Sequence, residues 1–386
     1  MDSKIYIEFI FLIILGILTS LSLSPFNYFV INFLTFSLFY LFLIKKFDHQ
    51  KDKRFFFLYG WLFGFGYFTS SLYWISISLT FDSNFKFLIP LTLILIPAFL
   101  SLFYGLISYF FFILKQKEKI SSFLIFSIIF GIIEFIRGSI LSGFPWNLIV
   151  YSFSKQLELI NITSIIGTYG LNLFCISLFT SPAILLLENS KKNIGVFIFF
   201  LITTIIFYSY GHFNKEKFYK AKSKVYEYKL KIIGSNISLD RFYQKTDPLS
   251  LIEELINLSV PNNNEKTIFI WPEGIISDYT KDKSNQIKML IEKNFNKNHL
   301  IIIGVNKKIM KNGTEQYFNS LSVYNSKFEL IDSYDKINLV PFGEFLPFEK
   351  VLKTIGLRSL TNNYQSFSKG EKREIIEVKK QNFSLK

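Results

Sequence analysis

IGVFIFFLITTIIFYSYGHFNKEKFYKAKSKVYEYKLKII, residues 194–233, changes character at its middle. Ile194 to Tyr210 carries no charge and is rich in Ile, Leu and Phe, whereas from His212 onward a charged residue recurs every few positions. Unpaired backbone groups are expensive in hydrocarbon, so an uncharged apolar run of this length reads as a membrane helix. The apolar and β-branched run Lys229 to Ile233 beyond it reads as a buried strand. Working outward, the amino-terminal side repeats the first pattern and the carboxyl-terminal side continues the second. The 386 residues therefore divide into a multi-span membrane domain at 1–211, a linker at 212–225 and an extramembrane α/β domain at 226–386. Half of the residues are hydrophobic and only 19% are charged, which agrees with a membrane class.

About seven segments are apolar enough to be read as spans: Ile5 to Leu23, Tyr28 to Leu43, Phe55 to Leu79, Phe87 to Leu114, Ser121 to Ile136, Ile160 to Leu187 and Ile194 to Tyr210. The first is followed by no small-residue cleavage site of the A-x-A kind, so it is expected to be a retained span or signal anchor. Basic residues mark orientation. One alternate set of loops holds Lys4, Lys45, Lys46, Lys51, Lys53, Arg54, Lys115, Lys117, Lys119, Lys191 and Lys192, and the other holds Lys86, Arg137 and Lys155. The positive-inside rule then puts the amino terminus inside, and an odd number of crossings delivers the domain after Tyr210 to the periplasm or cell exterior. The net charge of +14 could suggest nucleic acid, but in the first half the basic residues are concentrated in short loops beside apolar runs, where they fix membrane orientation. A single cysteine, Cys175, excludes an internal disulfide framework and a multi-cysteine metal site, three scattered histidines weaken a metal reading further, and no cofactor is expected.

Two stretches within the membrane part stand out. Glu134 and Arg137, three apart on one helical face, either form a structural ion pair ending a helix or mark an internal site. Gly143, Phe144, Pro145 and Trp146 follow as a loop anchored at the interface by Trp. Gly64 and Gly66, between Phe63 and Trp74, read as close helix packing through small residues. Cys175 lies mid-span and reads as a small packing residue.

In the second half, Lys229 to Ile233, Thr267 to Trp271 and His299 to Val305 read as buried strands, and Leu249 to Ser259 and Ser284 to Asn294 as amphipathic helices. Ser320 to Tyr324 and Glu329 to Tyr334 flank a turn signal at Asn325-Ser326 and predict a hairpin. Glu374 to Val378 and Asn382 to Lys386 read as two further strands. The order implies a layered α/β sheet.

Two segments of this half could carry chemistry. Trp271, Pro272, Glu273 and Gly274 follow a strand, with Pro breaking the ladder and leaving Glu273 at the carboxyl end of the sheet, where α/β proteins place ligands; a solvated turn residue is the plainer alternative. Residues 335–348, DKINLVPFGEFLPF, put Lys336 just past a strand and Glu344 in a loop punctuated by Pro and Gly. A surface loop with one salt bridge would look the same.

These two segments resemble the carbon–nitrogen hydrolase, or nitrilase, superfamily. Joined to a multi-span amino-terminal domain, they resemble the bacterial apolipoprotein N-acyltransferase family in particular. Ser24-Pro25-Phe26, Gly64-Phe65-Gly66 to Trp74, Glu134 to Arg137, Gly143 to Trp146 and Gly167 to Gly170 are further matches, so the resemblance covers nearly the whole chain. It implies a nitrilase-like αββα soluble domain in the bacterial inner membrane's outer space, with Glu273 as general base, Lys336 as oxyanion stabiliser and Glu344 in support. It implies two partners as well, a phospholipid acyl donor and a lipoprotein acceptor. The family's nucleophilic Cys follows the strand that here ends at Lys386, and its closing membrane helix comes later still. The expectation is thus of a soluble domain truncated before its nucleophile, and of no acyl transfer by the chain as written. A membrane-anchored protein that binds lipid or peptide without turnover is the second reading. A transporter is the third; it rests on Glu134 and Arg137 but lacks the paired broken helices such folds show.

Overall fold

The computed structural model describes residues 3–50, 52–80, 83–140, 143–221, 226–235, 247–275, 284–311, 313–341, 343–346, 354, 366–371, 376–378 and 383–385. Lys51, Ser142, residues 222–225, Phe342, Pro347, Phe348, Glu374, Asn382 and Lys386, all parts of segments read above, lie outside them. The chain forms two compact units, Met1–Lys222 and Ser223–Lys386.

The first unit is helical: α1 (Ser3–Ser20), α2 (Ile31–His49), α3 (Lys53–Leu72), α4 (Ile89–Leu114), α5 (Lys119–Ser139), α6 (Leu157–Ile160), α7 (Thr163–Thr180), α8 (Pro182–Leu187) and α9 (Lys191–Lys220). Among the described residues four stretches are long and apolar enough to cross a membrane: Lys86–Leu114, Lys119–Ser139, Thr163–Leu187 and Lys191–Lys220. By contrast, α2 ends in Lys45, Lys46 and Asp48, and α3 opens on Lys53 and Arg54. The stretch read as one span from Ile160 to Leu187 is among those four from Thr163 onward, but it is kinked inside. Gly167 sits at φ +71°, a backbone that a side chain would strain, and Pro182 starts a new helix without an N–H to give.

Residues 212–220, expected as linker, are helical and continue α9. Lys and Glu signalled departure from hydrocarbon, but no Gly, Pro or cap follows to stop the helix. Ion pairs hold the extension: Lys215 to Glu158 at 2.7 Å and Lys220 to Glu216 at 3.1 Å.

Phenylalanine fills the core, with Phe39 stacked on Phe63 at 4.2 Å between ring centres. Gly64 lies against Tyr104 of α4 and Gly66 against the Ile13 backbone of α1, so the small residues of α3 bring three helices close. At the end of α5 the Glu134 and Arg137 side chains are fully buried and paired at 2.6 Å. Arg137 also donates to the carbonyls of Phe144 at 2.6 Å and Trp146 at 3.0 Å, pinning the loop after the helix. Trp146 stacks on Trp74 at 5.1 Å, and both rings are exposed.

The second unit is built on a five-stranded sheet, in order β1 (Lys229–Ile232), β2 (Thr267–Ile270), β3 (His299–Lys311), β4 (Thr314–Asn325), β5 (Leu330–Asp335). The pairs β1–β2 and β2–β3 are parallel; β3–β4 and β4–β5 are antiparallel. The central strands are apolar on both faces, which is what a sheet covered on both sides requires. Phe269, Ile301 and Ile303 pack under α10 (Pro248–Ser259) and α11 (Ser284–Asn294). Ile268, Leu300, Ile302 and Val323 face the other way, toward Ile376 of β6 (Ile376–Val378), which pairs antiparallel with β7 (Phe383–Leu385).

The strand expected to stop at Val305 runs six residues further and turns back as β4. Asn306, Lys307 and Lys308 hid it, because an antiparallel arm needs no apolar alternation where its faces meet water.

Candidate active site

The site is assembled where β2 ends. Trp271 leaves the strand but stays bonded to β3, donating its N–H to Ile302 at 2.8 Å, while its indole N–H donates to Ser259 Oγ of α10 at 2.9 Å. Ile275 donates to the carbonyl of Gly304 at 3.1 Å, so the turn holding Glu273 lies directly over β3. A Cβ at position 304 would run into the Cα of Glu273 and the nitrogen of Gly274, and only glycine permits this crossing.

Lys336 comes from the opposite direction. Its N–H donates to the carbonyl of Asn319 in β4 at 2.8 Å, and its own carbonyl accepts from Gly370 at 3.0 Å. The preceding Asp335 is fixed by Lys307 at 2.7 Å and by the hydroxyl of Ser320 at 2.6 Å. Lys336 Nζ then lies 2.9 Å from Glu344 Oε1 and 3.5 Å from Glu273 Oε1. Asn319 joins the same two oxygens, its Nδ2 donating to Glu273 at 2.5 Å and to Glu344 at 2.6 Å. The second oxygen of Glu344 accepts the Val340 N–H at 2.7 Å.

All three residues singled out in the sequence thus meet within one unit, yet their surroundings differ. The side chain of Glu344 is 11% exposed, that of Lys336 33% and that of Glu273 66%. Burial works against the charge of Lys336, but the hydrogen bond to Glu344 and the charge of Glu273 outweigh it and hold the ammonium above the usual lysine range. Burial alone would push Glu344 the other way, upward; the Asn319 amide, the Val340 N–H and Lys336 overcome it and hold this carboxyl below the usual range. Glu344, with donors on both oxygens, is equipped to anchor. Glu273 uses one oxygen, and the other has no partner among the described residues, so it can take up a proton from a group arriving from solvent. Lys336, kept charged, can face a developing oxyanion.

Cys175, the one thiol of the sequence, is fully buried in α7. Reading the sequence did not single out Asn319 or Gly304. Neither stands out locally: Asn319 is one polar residue among Gln316, Asn319 and Ser320, and its burial against two carboxylates follows only from the β4–β5 pairing.

The chain thus combines apolar helices suited to a bilayer with an α/β unit bearing a carboxylate–ammonium–carboxylate cluster. The comparison with known proteins is more specific. The model of the apolipoprotein N-acyltransferase N-terminal domain matches residues 15–181. Proteins named apolipoprotein N-acyltransferase are similar along nearly the whole chain. That of Brucella melitensis is 26% identical over 377 residues, covering 94% of this chain and 70% of the relative. The Rhizobium rhizogenes protein is 28% identical over 381 residues and that of Rhodopseudomonas palustris 27% over 377, with the same shares covered. The chain is thus similar to apolipoprotein N-acyltransferases along nearly its whole length, and it is a membrane protein of acyltransferase kind.

Proposed function

We propose that this chain carries the base and the oxyanion-binding cation of a site that moves an acyl chain from a phospholipid to the N-terminal amine of a diacylglyceryl-cysteine lipoprotein. In this reading the second unit is a nitrilase-like αββα domain facing the periplasm. The first unit crosses the bacterial inner membrane seven times with its amino terminus inside, in keeping with the crowding of Lys and Arg into alternate loops. The observation that carries the proposal is the position of Lys336, 2.9 Å from a buried Glu344 and 3.5 Å from an exposed Glu273.

The chemistry runs as follows. Glu273 removes the proton of a thiol, and the thiolate adds to the phospholipid ester carbonyl. Lys336 stabilises the tetrahedral oxyanion; when it collapses, the lysophospholipid oxygen departs with the proton held by Glu273, leaving a thioester. The lipoprotein amine attacks that thioester, Glu273 takes the amine proton, and the thiolate is expelled and reprotonated. Atoms and charge balance without a cofactor.

Among these 386 residues Cys175 is the one thiol, and its burial in α7 supports a second reading, a membrane protein that binds lipid or peptide without turnover. One assay separates the two. Protein isolated from its own membranes is given a phospholipid with a deuterated acyl chain and a diacylglyceryl-cysteine peptide, and the peptide is read by mass spectrometry. Acyl transfer predicts labelled triacylated peptide, reduced at least about a hundredfold in Glu273→Gln and in Lys336→Ala. A polypeptide of residues 1–386 alone is expected to yield none, and any product from it would overturn that expectation. Peptide bound but never acylated by the isolated protein would leave the binding reading.

A further inference from the structure

Between α5 and α9 runs an open groove of about 410 Å³. Leu124, Val196, Phe199 and Phe200 line it, together with Gly195 and with Lys192 from the first turn of α9. Its size lies within the roughly 300–1,000 Å³ of sites that hold small organic molecules. Both helices are among the four apolar enough to cross a membrane, so hydrocarbon is the surrounding this groove is made for. At Gly195 a Cβ would meet nothing within 4 Å, which marks unfilled space beside the helix.

The charge is placed at one end. Lys191 and Lys192 are exposed, and neighbouring Lys119 is taken up by Glu188 at 2.8 Å. No carboxylate among the described residues pairs with Lys192. Glu118 is within electrostatic range of Lys192, but its carboxylate accepts the Ser121 N–H. An apolar furrow along two membrane helices, ending in an unpaired ammonium at the basic side of the unit, matches an amphiphile with one acyl chain in the furrow and a negative headgroup at the lysine.

We propose that this groove is a binding site for one anionic glycerophospholipid, of the phosphatidylglycerol class, in the leaflet on the lysine-rich side. The site holds the lipid and does not turn it over; the proposal is independent of the acyl-transfer reading.

Native mass spectrometry of the detergent-solubilised protein tests it, with dioleoylphosphatidylglycerol and dioleoylphosphatidylcholine titrated in parallel. One phosphatidylglycerol adduct should survive conditions that strip phosphatidylcholine, and millimolar inorganic phosphate should leave it in place. Lys192→Gln should weaken the adduct about fivefold. Gly195→Leu should abolish it; leucine fits the free space and favours the helix, so folding is expected to be preserved and is checked by an unchanged thermal transition. Equal retention of the two lipids, displacement by phosphate, or full binding by a folded Gly195→Leu variant would each overturn the proposal. So would a dimer that Gly195→Leu disrupts, because a second copy would then occupy the groove.

Discussion

Each unit contains a glutamate held by a cation, and the two arrangements are nearly opposite in character. In the membrane unit Glu134 and Arg137 are fully buried, and the guanidinium gives two further hydrogen bonds, to the Phe144 and Trp146 carbonyls. In the α/β unit Lys336 stands between a buried Glu344 and an exposed Glu273 whose second oxygen has no partner among the described residues. A closed set of bonds fixes a shape; an open one leaves capacity for a proton or a substrate. The transport reading of Glu134 and Arg137 draws no support from this geometry, since both Glu134 oxygens accept from Arg137 and every guanidinium nitrogen has a partner among the described residues.

The largest expected effect lies in the closed pair. Removing one partner of a buried ion pair leaves an uncompensated charge and typically costs about 3–5 kcal/mol. Arg137→Ala should therefore collapse the thermal transition of the detergent-solubilised protein or abolish its accumulation. Glu134→Leu combined with Arg137→Met removes both charges and should recover most of that loss, though not all, because two loop carbonyls still lack their donor. If Arg137→Ala unfolds no more readily than wild type, the pair is not structural and the contrast between the units fails.

A smaller effect is expected at Asn319, which ties the open cluster together. Asn319→Asp would place a third carboxylate against Glu273 and Glu344, and loss of a buried hydrogen-bonding partner costs about 1–3 kcal/mol. The measurement is denaturant unfolding followed by tryptophan fluorescence, where Trp271 reports on the turn beside Glu273. Asn319→Asp should shift that transition to lower denaturant, while Glu273→Gln, altering a mostly exposed group, should leave it nearly unmoved. Equal shifts in the two variants would mean that Glu273 is as much a structural member as Glu344.

How much of this was legible in the sequence follows from the range of the interactions. Ser284–Asn294 was read with the bounds it has, because helical spacing of apolar residues is local information. The β4–β5 hairpin was announced by Asn325-Ser326 for the same reason. Glu273, Lys336 and Glu344 could be named because each follows a strand end or sits among Pro and Gly, and because their motifs resemble a known superfamily. The β3 extension could not be read, since its polar arm carries no burial signal. Asn319 and Gly304 were equally hidden: what matters about them is a partner 46 residues away for Asn319 and the backbone of Glu273 for Gly304.

The finest test of the open cluster is its pH dependence, and the sign can be worked out for each group. Glu344 is held below its ordinary value when folded, so its contribution to stability is present above the unfolded carboxylate value of about 4.3 and is lost as pH falls through the lower folded value. Lys336 is held above its ordinary value, so its contribution is present below about 10.4 and is lost as pH rises through the higher folded value. The stability gap between wild type and Glu344→Gln should consequently stay flat from neutral pH down to about 5 and close only below roughly 4. A gap that closes between pH 7 and pH 5 would mean the buried carboxylate is protonated where Lys336 needs its counter-charge, and the ammonium would then lack the anchor that aims it.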